Sequence, residues 1–472
     1  MQESTKKNYG QLIFLLFEII AIFTSFICFY KVDLKSKMLL GVLPLGYFLI
    51  SLLFYKNFGY ITNNISKLMV VSLFFVRLVI LPFLYAGNID AQLFEGRNLV
   101  ESHFSKACLL MVYEYFAVNT ALFFYEHKRE RRKWHIKHIV SNTDISKGLV
   151  ICLAIYVLGI AFFLPQYSQS FQTIFSLGDI NFTVASSKIE YSVGSLGRVL
   201  KTLFSMAVQL FRILFPALLM REAYKRNSNS RACTIWLVLG CALQFMFLTS
   251  TFAEAIVACL TLVMFYIKLY PSRKTKTFFF LGASTLGMLV FYFVVRYFVR
   301  TVGGLYSKED GATNYAAQII NAYFTGVDNV AATFNIPSGH GAEAFYAGVI
   351  GAIPFNSTLF GNRGNKLQYY YNLYNSAYGQ IPPTIGAGYY YFGALLSPAV
   401  TVFFIVLSMR YYKKAEKMEA SLRYVAVIFC SVTFALGTVM YSPSIALAWY
   451  FGWGIPMLVL TLFTGEDRGR QT

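Results

Sequence analysis

Apolar runs of about 20 residues, the length that carries an α-helix across a bilayer, recur from one end of this chain to the other. They cover 11–30, 38–55, 67–86, 104–125, 148–164, 198–220, 232–249, 251–270, 277–300, 385–408, 423–440 and 445–463. Segments this apolar cannot all hide in a water-soluble core. Hydrophobic residues are 57% of the 472 and charged residues 13%, whereas soluble domains carry about 25% charged. No polar linker divides the runs. The expected fold class is therefore all-α: one polytopic membrane bundle over 1–472 with about a dozen helices.

The net charge of +19 does not point to nucleic acid, because the cations sit in short segments between apolar runs. Lys128, Arg129, Arg131, Arg132 and Lys133 form one group. Arg221, Lys225, Arg226 and Arg231 form a second, Arg273, Lys274 and Lys276 a third, and Arg410, Lys413, Lys414 and Lys417 a fourth. This is the positive-inside bias. Alternating sides from a cytoplasmic N-terminus puts every group inside and both termini in the cytoplasm. It leaves 87–103, 165–197 and 303–384 outside. The stretch 31–37, with Lys31, Lys35 and Lys37, runs against the bias. The seven cysteines lie in or beside apolar runs without metal-ligand or C-x-x-C spacing, so they read as small buried apolar residues. The first run, 11–30, is long enough to span and lacks a small-residue cleavage site, so it is expected to be a span and not a cleavable signal peptide.

The segment 303–384 is the largest external loop, rich in Gly, Asn, Tyr and Pro. Loops beyond about 15 residues are usually functional or disordered. Within it Ala342–Pro354 is moderately apolar and too short to span, which suits a re-entrant or surface-lying helix. The loop also brings Asp328, His340, Glu343 and Arg363 outside, with His340 set among glycines in Ser338–Gly341.

Within the spans, Arg198, Lys201, Ser205, Gln209 and Arg212 share one helix face at about 100° per residue. Cations at bilayer depth face a bundle interior or a wet cavity. Two roles are open to this stripe: pairing with an internal acid such as Glu18 or Glu114, or forming a positive wall for an anionic ligand. Arg296 and Arg300, four apart, either snorkel to headgroups or grip a phosphate with paired hydrogen bonds. Glu254, beside a tight external turn, either steadies a helix start through its dipole or does acid–base work. Tyr370 and Tyr374, in Tyr369–Asn375, and Tyr390, in Tyr389–Phe392, suit either a membrane-interface belt or the stacking of sugar rings. Asp-x-Asp, H-E-x-x-H, G-x-x-x-x-G-K-S/T and G-x-S-x-G are all absent, and neither metal nor cofactor is expected.

On the turn Thr249–Glu254, the Arg296/Arg300 span end and the segment Ile381–Pro382–Pro383–Thr384 to Tyr391–Phe392–Gly393, the chain resembles the Wzy-type oligosaccharide repeat-unit polymerases of bacterial O-antigen and capsule synthesis. The resemblance covers most of the length as architecture. The family often places an Arg-bearing turn where Glu254 stands here. The resemblance implies a fold related to the C-type glycosyltransferases, in the bacterial cytoplasmic (inner) membrane. It also implies transfer of a glycan from undecaprenyl diphosphate to a lipid-linked repeat unit on the external face, beside flippase and chain-length regulator proteins. Acid–base duty would then fall to Glu254, Asp328 or His340. Arg198, Lys201, Arg212, Arg296, Arg300 and Arg363 would hold lipid diphosphates, and Tyr370, Tyr374 and Tyr390 the sugars. A lipid-linked oligosaccharide flippase and an O-antigen ligase are the rival expectations. A flippase should show matched halves, and no repeat is visible between the halves of this chain.

Overall fold

The computed structural model describes residues 2–31, 38–58, 64–87, 100–127, 145–163, 195–226, 230–246, 252–273, 277, 317, 320–321, 323–356, 366–376, 380–440 and 442–462. Among these, 89% are helical and none is in a strand. Five helices are long and apolar enough to cross a membrane: Gln11–Lys31, Ile65–Gly87, Ser102–Tyr125, Thr202–Arg226 and Pro443–Leu460. A bent pair raises the number to six, and three further apolar helices are shorter. These are the features of a multi-pass membrane protein.

In chain order the helices are α1 (Gln2–Lys31), α2 (Val42–Leu53), α3 (Ile65–Gly87), α4 (Glu101–His127) and α5 (Ile145–Phe163). Then come α6 (Ser195–Arg226), α7 (Ser230–Met246), α8 (Phe252–Leu269), α9 (Val327–Ala332) and α10 (Gly341–Gly351). The last are α11 (Lys366–Asn375), α12 (Thr384–Leu396), α13 (Ala399–Glu416), α14 (Leu422–Met440) and α15 (Pro443–Leu460). Helix α14 is the hub. It packs on α13, α3 and α8, so its apolar residues are covered on every side, and Val425–Cys430 are all buried. Helices α1 to α4 form one flank, and α5 to α8 the other. The outer face of α1 shows Leu12, Leu15, Ile19, Phe23 and Phe26, an apolar surface of the kind that meets lipid. All seven cysteines are free thiols, and Cys152 is exposed rather than buried.

Two expectations are corrected. The run 385–408 is not one straight span. It is α12 and α13, bent by 107°. Gly393 causes a break inside α12 with φ 77° and ψ −178°, a left-handed conformation that a side chain would strain. Secondly, 303–384 is not a plain loop where it is described. It folds into α9, α10 and α11. Helix α10 is too short to span and lies against α11, α12 and α15, in keeping with the short re-entrant or surface-lying helix expected over Ala342–Pro354.

Candidate functional site

The candidate site grows from Gly341. A Cβ on this glycine would collide with the carbonyl oxygen of Tyr390, so only glycine lets the start of α10 press against α12. That contact carries His340 onto α12 and α11. The His340 imidazole lies 6.3 Å from the Tyr370 ring, and its Nδ1 lies 3.5 Å from Oε2 of Glu343. Both side chains remain accessible, at 62% and 54% exposure. Tyr370 and Tyr374, one turn apart on α11, have ring centroids 6.5 Å apart. Tyr390 stands near enough to Tyr370, Tyr374 and Glu343 to feel their charge. Residues from three separate stretches of sequence therefore form one patch: the exposed Tyr374 ring, the half-buried Tyr370 and Tyr390 rings, an imidazole and a carboxylate.

A buried polar layer supports the patch. Asp328 on α9 is buried and accepts a 2.6 Å hydrogen bond from the Tyr85 hydroxyl. The Tyr371 hydroxyl donates to the Asn329 carbonyl at 3.0 Å. Burial, and after it the nearby Asp328 carboxylate, push the Tyr371 phenol well above its ordinary pKa, so it stays a donor. Asn375 donates to the Ala332 carbonyl at 3.0 Å and accepts from Asn335 at 2.7 Å. Asn335 in turn meets Nδ1 of His103 at 2.9 Å. Gln368 donates to the Gln380 carbonyl at 2.6 Å. These bonds tie α9, α11 and the entry to α12 together, which places Asp328 in the scaffold beneath the patch.

A second group lies inside the bundle. Arg212 on α6 is buried, and its Nη2 is 3.7 Å from Oε2 of Glu254 in the first turn of α8. Gln209 Nε2 donates to the same oxygen at 3.4 Å, and Gln244 Nε2 donates to the Arg212 carbonyl at 2.7 Å. Nε and Nη1 of Arg212 have no hydrogen-bond partner. Arg212 thus pairs with Glu254 and not with Glu18 or Glu114. The expected polar stripe is not uniform, since Ser205 is exposed whereas Gln209 and Arg212 are buried. The side chains of Arg198 and Lys201, and the whole of Arg296, Arg300 and Arg363, lie outside the described residues.

Comparison with family models, curated proteins and solved structures returns no match. The chemistry of the site therefore rests on its own geometry. The three acid–base candidates sit in three settings: His340 exposed beside rings, Asp328 buried in the scaffold, and Glu254 paired with a guanidinium. Only His340 has both an open face and an orienting carboxylate, the arrangement that lets an imidazole take a proton from a hydroxyl. Among the described residues no group of three or more His, Cys, Asp or Glu side chains forms a metal-binding cluster.

Sequence reading passed over Arg77. It sits in a π-helical turn, Val76–Ile80, in mid-span. Its Nη1 is 2.6 Å from Oε2 of Glu114, whose other oxygen accepts from Thr401 at 2.6 Å. Its Nε donates to the Thr325 carbonyl at 3.0 Å. Thr325 has φ 46°, a strained setting for a non-glycine residue, and only Gly326 separates it from α9. Arg77 thus anchors the turn that delivers Asp328. A lone arginine in an apolar run was the available signal.

Proposed function

We propose that this protein is an external-face membrane glycosyltransferase of the Wzy polymerase type, joining undecaprenyl-diphosphate-linked repeat units. The supporting observation is the gathering of His340, Glu343, Tyr370, Tyr374 and Tyr390 into one partly exposed patch over a buried polar layer. Phenol rings offer flat faces to the C–H faces of sugars, and their hydroxyls meet the sugar edges. A glycosyl diphosphate brings its own leaving group, so the protein needs to orient two glycans, stabilise departing negative charge and remove one proton. In this reading His340, oriented by Glu343, accepts the proton of the acceptor hydroxyl. The unused donors of Arg212 face anionic charge, and Arg296 and Arg300 hold a diphosphate at headgroup depth. The reading includes a twelve-span topology with both termini in the cytoplasm.

A flippase is the second reading, favoured by the buried charged pairs Arg212–Glu254 and Arg77–Glu114, since ionisable residues within a bundle often line transport paths. The test reconstitutes the purified protein in liposomes with lipid-linked repeat units and resolves the products on a gel. A ladder of lengthening glycans supports the polymerase. Transfer of single units onto a lipid A-type acceptor points to a ligase. Movement of the lipid between leaflets without any new glycosidic bond makes it a flippase.

A further inference from the structure

Glu18, near the middle of α1, is buried at 6% exposure, and neither of its carboxylate oxygens has a hydrogen-bond partner. No cationic side chain pairs with it among the described residues. It faces Ser51, and the Tyr47 and Tyr115 phenols lie close enough for charge on one to affect the others. The Ser51 and Tyr115 hydroxyls are 2.8 Å apart, and the Tyr47 and Tyr115 rings stack at 4.9 Å. The Tyr47 hydroxyl is fully buried and also lacks a partner. An ionised carboxylate left alone in a low-dielectric interior is very costly, so something is needed to balance this one.

We propose that Glu18, Tyr47, Ser51 and Tyr115 form a binding site for a monovalent cation, with Na+ the best fit. The donor set contains oxygen alone, which selects hard cations over zinc or copper. A single carboxylate is neutralised by one positive charge, whereas a divalent ion would leave an unbalanced charge at bilayer depth. A proton would also balance Glu18, but it needs one acceptor, and three hydroxyls converge here with the lone pairs of Tyr47 unused. The ion would join α1, α2 and α4 at one point and so fix the flank on which Arg77 and Glu114 meet. The site is separate from the sugar patch and does not depend on the polymerase reading.

The test follows the melting temperature of the purified full chain in detergent as Na+ replaces choline at constant ionic strength. Wild type should show a saturable rise in melting temperature that choline does not give. Glu18→Gln should lose that rise, and Tyr47→Phe, which keeps the ring and its packing, should shift the midpoint to higher Na+. If Glu18→Gln does not fold, Tyr47→Phe alone decides. A wild-type curve flat in Na+, or a Tyr47→Phe curve identical to wild type, overturns the proposal. So does an infrared band of a protonated carboxyl group that Na+ leaves unchanged and Glu18→Gln removes, because it would put a proton in that place.

Discussion

Two residues at bilayer depth show how far a position can be interpreted before its neighbours are known. Arg212 was legible from its place in an apolar run. Its partner was not, because the meeting with Glu254 depends on how α6 and α8 rotate and pack, and spacing along one helix carries no such information. Glu254→Ala leaves a buried guanidinium unpaired and should cost about 3–5 kcal/mol, visible as a lower denaturation midpoint. Glu254→Gln keeps a hydrogen-bond acceptor for Arg212 and should retain most turnover. A loss of about 10²–10⁴-fold with stability unchanged would instead make Glu254 the base. His340→Gln is expected to behave in the opposite way. At 62% exposure it should leave melting almost unchanged, and glycan transfer should fall by about 10²–10⁴-fold, measured as initial rate.

At the scale of elements, hydropathy located the apolar runs and the short helix α10, but it could not locate the kink inside α12. The run is mostly apolar, and the kink inside α12 turns on the backbone of Gly393. Gly393→Ala should therefore cost about 1–3 kcal/mol, read from equilibrium unfolding in detergent. Helices α9 and α11, inside 303–384, were hidden for a different reason. Their Asn, Gln and Tyr residues count as polar in any hydropathy scale, yet here they satisfy one another in a buried layer. Asn375 alone bonds Ala332, Tyr371 and Asn335. Asn375→Ala should remove about 1–3 kcal/mol for each buried group left without a partner. Protease cleavage within α11 should rise with it.

At the scale of the whole molecule, charge bias and apolar runs agree on a multi-pass membrane bundle, and the proposed reading puts its basic segments in the cytoplasm and its tyrosine patch outside. Cysteines placed in 303–384 should react with an impermeant maleimide applied to whole cells, and cysteines placed in 126–147 should react only after lysis. The reverse pattern would turn the molecule over. The patch itself was legible as separate pieces, His340 among glycines and two tyrosine clusters. Their convergence was not, because it depends on Gly341 meeting the Tyr390 carbonyl across the fold. The most direct measurement is chain growth by purified wild type and by the Tyr370→Ala/Tyr390→Ala double variant, in liposomes supplied with lipid-linked repeat units. Wild type should yield a glycan ladder, and the double variant, melting close to wild type, should yield none or only the shortest products. A full ladder from the double variant, or no ladder from active-state wild type, would contradict a sugar-polymerising patch at this place.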